Sequence, residues 1–249
     1  MDAKSRIRLD NLLVERGFYN SRSRARDAIA RGCVFVAGKP VLKSGRTLSF
    51  DSDIEIDDPA KAYVSRSALK LIEGLAKSGF DPVDRIGLDI GASTGGFTQV
   101  LLERGAKQVF AIDVGHGQMN AGLAGNPRVI NLENLNAREL SLDNLGGVVP
   151  EFLVCDVSFI SLKLALPPAL DIAASGAHGI FLVKPQFELG RDHIGRGGLV
   201  RDKDAAKECA QALSDWLNNY PGWQCTHFMP SPIFGGDGNE EYLMAGIKR

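Results

Sequence analysis

From residue 84 onward short apolar runs alternate with helical segments, and no other feature of the chain limits its fold so narrowly. Strands are expected at 86–90, 108–113, 128–131, 152–156, 179–183, 224–229 and 241–247, with helices at 96–104, 164–174 and 202–219. Strands separated by helices predict a parallel, doubly wound α/β sheet. On that architecture ligands gather at the carboxyl ends of the strands, so the residues just beyond each strand are the ones to inspect.

The first of these strands runs into GLDIGASTGGFT, with Gly91, Gly95 and Gly96 spaced through the turn. Glycine lets the backbone bend sharply and approach a ligand where a Cβ would collide. The second strand ends at Asp113, about 20 residues past the loop, where a carboxylate can grip ribose hydroxyls. Loop and carboxylate together point to a nucleoside-containing ligand, either NAD or S-adenosylmethionine. The dinucleotide fingerprint wants glycine at the loop's second position, and here Ser93 stands there. Asp89 would set negative charge at the loop's mouth, which suits a sulfonium with an α-amino group better than a pyrophosphate. S-Adenosylmethionine is therefore the expected cofactor, held by Asp89, Gly91, Ser93, Gly95, Gly96, Phe97, Asp113, Val114 and Asp156.

The first 50 residues carry 11 Lys and Arg against 4 Asp and Glu, whereas the whole chain carries 29 against 30. A small basic module joined to an acidic body follows, and nucleic acid is the first partner such a module implies. A helix is expected over 6–16 and a second from Ser21 or Ser23 to Gly32, with Arg22, Arg24, Arg26 and Arg31 outward and Ala25, Ala28 and Ile29 inward. Short strands follow at 34–36 and 54–56, and the acidic stretch 51–61 reads as a linker. RLDNLLVERG, SRSRARDAIARG and VFVAGKPV resemble the S4 RNA-binding module. The resemblance implies phosphate contacts from Arg6, Arg8, Arg22, Arg24, Arg26, Arg31, Lys39 and Arg66, whose strength falls with salt. Domains of 1–60 and 61–249 are expected.

Mean hydropathy is −0.06, no apolar run nears the roughly 18 residues of a membrane span, and MDAKSRIRLD lacks a secretory apolar stretch. Four separated cysteines contain no C-x-x-C pair, and His116, His178, His193 and His227 show no ligand spacing, so no metal is expected. A reduced, cytoplasmic setting without stable membrane association is expected, with the oligomeric state left open.

Charges recur where later strands end: Asp156 in CDVSFISL, Lys184 in VKPQFE and Glu241 in GNEEYL, with Lys70 ahead of the sheet in YVSRSALKL. There is no N-P-P-Y segment to hold an amino group and no Pro-Cys nucleophile for a pyrimidine; Cys155 reads as core. Phe187 is placed to stack a base or to fill the core, and Arg191, Arg196 and Arg201 either touch RNA or are merely solvated.

YVSRSALKL, GLDIGASTGGFT, AIDVG, CDVSFISL, VKPQFE, GRGGLVRD and SPIFGGDGNEEYL together resemble the TlyA-type family, over nearly the whole chain. That resemblance implies a Rossmann-like class I methyltransferase sheet of the FtsJ-like kind, with a small N-terminal α+β S4 domain. It further implies 2′-O-methylation of cytidine in 16S or 23S ribosomal RNA, with ribosomal RNA or subunits as partner. The family's Lys-Asp-Lys-Glu tetrad falls on Lys70, Asp156, Lys184 and Glu241. Asn134 stands where the family usually reads Arg. Lys184 would take the proton of the 2′-hydroxyl or stabilise the alkoxide; a free lysine, with a pKa of about 10.4, needs it lowered to act as base, and Lys70 nearby would lower it. Two rival classes remain: a membrane-acting haemolysin, which needs an amphipathic or spanning segment, and a catalytically silent RNA-binding assembly factor.

Overall fold

A computed structural model describes residues 6–249, apart from the Arg191 side chain, and divides at Ala62/Tyr63. Met1–Ser5 of the expected basic domain lie outside the described residues.

The smaller unit holds β1 (Arg6–Arg8), α1 (Leu9–Glu15), α2 (Arg22–Ala30), β2 (Val34–Val36), β3 (Lys39–Pro40), β4 (Thr47–Ser49) and β5 (Ile54–Ile56). The expected first helix loses its start to β1, which pairs antiparallel with β4, so Ile7 faces Leu48 across a ladder. Strands β3-β2-β5 form a second small sheet. Ser21 caps α2 by accepting from the Arg24 N–H, and Leu9, Leu12, Leu13, Ala25, Ala28 and Ile29 are fully buried between α1 and α2. The acidic stretch is not a linker. Asp58 accepts from both Nη atoms of Arg31 at 2.8 and 3.1 Å and from the Tyr19 hydroxyl at 2.9 Å, tying the end of the unit to α2.

The larger unit adds α3 (Ala68–Ser78), β6 (Ile86–Ile90), α4 (Gly96–Glu103), β7 (Gln108–Asp113), α5 (Ala121–Ala124), β8 (Val129–Glu133), β9 (Phe152–Cys155), α6 (Leu162–Ala165), α7 (Pro167–Ile172), β10 (His178–Val183), α8 (Pro185–Glu188), α9 (Lys203–Asn218), β11 (Trp223–Pro230) and β12 (Tyr242–Lys248). One seven-stranded sheet runs β11-β12-β10-β9-β6-β7-β8. It is not wholly parallel as expected, because β12 enters antiparallel between β10 and β11. The apolar pattern of a doubly buried strand carries no direction, so sequence could not reveal this. The expected helix 164–174 breaks at Pro167-Pro168 into α6 and α7, since proline cannot donate to the preceding turn.

Alternation along the strands feeds two cores. Leu153, Cys155, Phe181 and Val183 join α6, α7 and α9, whereas Phe152, Val154, Ile180 and Leu182 join α3 and α4. Burying each large side chain contributes about 1.5–3 kcal/mol. The reversal of β12 has a consequence for the site: its first residue, Tyr242, pairs with Val183, the last of β10. Glu241 and Lys184 therefore leave the ladder side by side at the sheet's carboxyl edge.

Candidate active site

The turn after β6 is built by close approach. Gly91 has φ +80°, and a Cβ there would stand 2.9 Å from the Asp156 carbonyl oxygen. Gly95, at φ +94°, opens α4, and a Cβ on Gly96 would meet Ser67 Oγ at 2.5 Å. The loop is fastened to the end of β7: the Gly91 and Ala92 N–H groups donate to the Ile112 carbonyl, and the Ser93 N–H donates to Asp113 Oδ2 at 2.8 Å. Asp113 Oδ1 accepts from the Gly115 N–H at 2.7 Å, fixing the carboxylate beside Val114, which is exposed.

Asp89 lies under this loop rather than at its mouth. It is fully buried, with Oδ2 accepting from the Thr98 hydroxyl at 2.6 Å and Oδ1 without a hydrogen-bond partner. Burial above all, with Asp156 and Asp113 adding negative potential, pushes its carboxyl up to about 7, against the Thr98 hydrogen bond. A buried acceptor with spare capacity is completed by a cationic donor, so Asp89 and the glycine cradle fit a ligand such as S-adenosylmethionine.

Beside the loop opens a small cleft of about 150 Å³. It is lined by loop residues 91–94 and Phe97, by Ser65 and Ser67, and by Asp156, Ser158 and Lys184. Lys184 Nζ forms an ion pair with Asp156 Oδ1 at 2.6 Å and donates to Ser158 Oγ at 2.9 Å. The other two charges make a separate pair. Lys70 Nζ donates to Glu241 Oε2 at 2.5 Å, with the two side chains 6% and 2% exposed, and neither lines the cleft. The expected foursome is therefore two lysine–carboxylate pairs, one open to a ligand and one sealed. Burial pushes the Cys155 thiol up, consistent with a core residue. Among the described residues no cluster of three His, Cys, Asp or Glu could hold a metal ion.

Sequence reasoning missed Phe159. It is 90% exposed, adopts φ +64°, and rests tilted on Phe187, whose ring lies 5.9 Å from Lys184 Nζ. An exposed aromatic in the left-handed region costs both solvation and strain. Only its place three residues after Asp156 pointed to it. Glu188, at the end of α8, ties that helix to the start of α6, accepting from the Ser161 hydroxyl at 2.5 Å and the Leu162 N–H at 2.7 Å.

The basic unit is less free than its composition implies. Arg31 is turned inward, its side chain 13% exposed and paired with Asp27 and Asp58. Arg8 and Arg22 both hold buried Asp10, whose carboxyl is lowered to about 2, chiefly by the Arg8 hydrogen bond against the cost of burial. Arg6 donates to the Thr47 carbonyl and Arg24 to that of Ala60. Arg26 and Lys39 are exposed. Arg66 belongs to the larger unit, near Gly236.

Comparison with known proteins agrees with this geometry. The FtsJ-like methyltransferase family model matches residues 63–248, and the S4 domain model matches residues 7–54. A 16S/23S rRNA (cytidine-2′-O)-methyltransferase, TlyA of Mycobacterium tuberculosis, is 40% identical over 96% of this chain and 89% of its own. Hemolysin A of Brachyspira hyodysenteriae is 38% identical over 95% of this chain and 98% of its own. A solved hemolysin-named protein from Streptococcus thermophilus superimposes with a TM-score of 0.76 at 36% identity, covering 99% of this chain and 90% of that one. No described helix is long and apolar enough to cross a membrane.

Proposed function

The chain belongs to the FtsJ-like methyltransferase family and carries an S4 domain, and from that premise we propose that it transfers a methyl group from S-adenosylmethionine to a cytidine ribose 2′-hydroxyl of ribosomal RNA. The observation that carries the reading is the Lys184–Asp156 pair opening into the same cleft as the glycine loop. Relatives named as rRNA (cytidine-2′-O)-methyltransferases support the choice of acceptor.

S-Adenosylmethionine supplies an activated methyl on a sulfonium. Asp89 would receive its α-amino group, Asp113 its ribose hydroxyls, and Val114 one face of its adenine. An alcohol is a weak nucleophile, so its proton must be held or removed as the new bond forms. Lys184 faces the cleft and does this at the 2′-oxygen. Asp156 fixes the ammonium from one side and Ser158 from the other, which limits the motion left to lose on reaching the transition state. Phe159 and Phe187 offer a stacking surface for the base. The Lys70–Glu241 pair braces the edge from which Lys184 projects. The basic unit docks RNA phosphates through Arg26, Lys39 and the outer edges of Arg8 and Arg22, and the reaction belongs in the cytoplasm with the ribosomal subunits.

The test is incubation of purified subunits with labelled cofactor, followed by digestion to nucleosides and mass analysis. Label in 2′-O-methylcytidine is the expected result. Label confined to a base, or no transfer to either subunit, would overturn the reading.

A further inference from the structure

Two residues before Glu241 the chain buries a polar side chain that the proposed transfer does not use. Asn239 is 3% exposed, and its amide spans two segments. Its Oδ1 accepts from the Val200 N–H and its Nδ2 donates to the Gly198 carbonyl, each at 2.9 Å. Its own carbonyl accepts from the Gly235 N–H at 2.8 Å, closing a turn over 235–239.

The two segments so joined have different contents. The 235–239 turn rests on Glu241: a Cβ on Gly235 would stand 2.6 Å from Glu241 Oε1. Upstream, the Ser231 N–H donates to the Glu241 carbonyl at 2.8 Å. The other segment, 194–201, is pinched by the Ile194–Val200 bridge and carries Arg196 and Arg201, both exposed. Among the described residues neither guanidinium has an ion-pair partner. A free guanidinium on a short, closed loop suits an RNA backbone phosphate.

We propose that Asn239 is a positioning residue for methyl transfer, locking the arginine-bearing loop 194–201 to the turn that seats Glu241. RNA phosphate held by Arg196 and Arg201 thereby sets the Lys70–Glu241 pair. The inference rests on the ribose-methylation reading above. Both amide bonds run to main-chain groups, so the loop cannot move as a body without exposing or orphaning a buried partner. Composition gave no sign of the latch, since Asn beside Gly reads as an ordinary turn residue.

The test is a double-mutant cycle on the full chain, because coupling between sites needs coupling evidence. Asn239→Asp keeps the side chain's size and its acceptor for Val200 but sets an oxygen against the Gly198 carbonyl. Gly235→Ala disturbs Glu241 from the opposite side of the same turn. Each variant should keep wild-type cofactor affinity by calorimetry while its single-turnover rate at saturating RNA falls by about tenfold or more, a loss that a merely structural tie would not confine to kcat. Arg196→Ala with Arg201→Ala should cost about tenfold in kcat/KM in the wild-type background and less than about twofold beside Asn239→Asp. Should Asn239→Asp fail to fold, the same cycle is run on Gly235→Ala. Wild-type rates in the variants, or losses that multiply independently, would overturn the latch alone. Absence of RNA methylation by the wild-type protein would overturn the latch together with the reading beneath it.

Discussion

The Lys70–Glu241 and Lys184–Asp156 pairs contain the same chemistry in different surroundings. Lys70 comes from the first turns of α3 and Glu241 from the residue before β12, and their contact is sealed. Lys184 and Asp156 follow neighbouring parallel strands, β10 and β9, and their contact lines the cleft with Ser158 beside it. A sealed pair costs desolvation on both partners and returns it as fixed geometry. An open pair keeps a face for a substrate. Charge type and motif order do not separate the sealed pair from the one that lines the cleft; exposure does, at 6% and 2% against 11% and 15%.

The largest effect that would break this contrast is on rate. Lys184→Ala should keep its fold and its cofactor affinity, yet lose about 10²–10⁴-fold in turnover, as removal of a general base does. Lys184→Arg should be nearly as slow if the amine must take the proton, because a guanidinium keeps its proton near neutral pH. A fast Lys184→Arg enzyme, measured in single turnover, would leave Lys184 only the task of holding the alkoxide.

A comparable effect on stability should appear at the other pair. Lys70→Ala strands the Glu241 carboxylate in the interior and should cost about 3–5 kcal/mol in denaturant unfolding. Replacing both partners, Lys70→Met with Glu241→Leu, should recover most of that stability without recovering turnover. If the single variant were as stable as wild type, the pair would not be a strut.

The donor side offers smaller tests. Asp113→Ala removes the acceptor for the Ser93 and Gly115 N–H groups and, on the proposed reading, for the cofactor's ribose, so cofactor affinity should drop by about 1–3 kcal/mol by calorimetry. Wild-type affinity in a folded variant would contradict this. Asp89 gives the smallest signal. Its folded carboxyl sits at about 7 against an ordinary 3.8, so between those values the folded state holds a proton that the unfolded chain has released. Stability of the ligand-free protein should therefore fall as pH rises through that window. A bound α-ammonium favours the ionised carboxylate, so cofactor binding near pH 7 should release a fraction of a proton. Binding enthalpies compared in buffers of different ionisation heat read that release, and equal enthalpies would contradict it.

Much of the larger unit was legible because its strands are apolar, β-branched and separated by helix-length segments, and because glycine loops announce close approach. What escaped was set by tertiary contact. The direction of β12 depends on which edge its loop returns to, and that reversal is what brings Glu241 beside Lys184. The sealing of Lys70 depends on α3 packing over β10, where a Cβ on Gly74 would stand 2.9 Å from Ile180. Arg31 reads as an RNA-facing arginine until Asp58, 27 residues on, is seen to claim it. Phe159 is an ordinary apolar letter between serines, and only its exposure separates it from the core.

The most direct test of the account is methyl transfer to an RNA that carries 2′-deoxyribose at the nucleotide the wild-type protein modifies, with the all-ribose RNA alongside. The deoxy RNA should bind with unchanged affinity and accept no methyl group while the ribose RNA is methylated. Transfer to the deoxy RNA at a comparable rate would contradict a ribose 2′-oxygen as the acceptor.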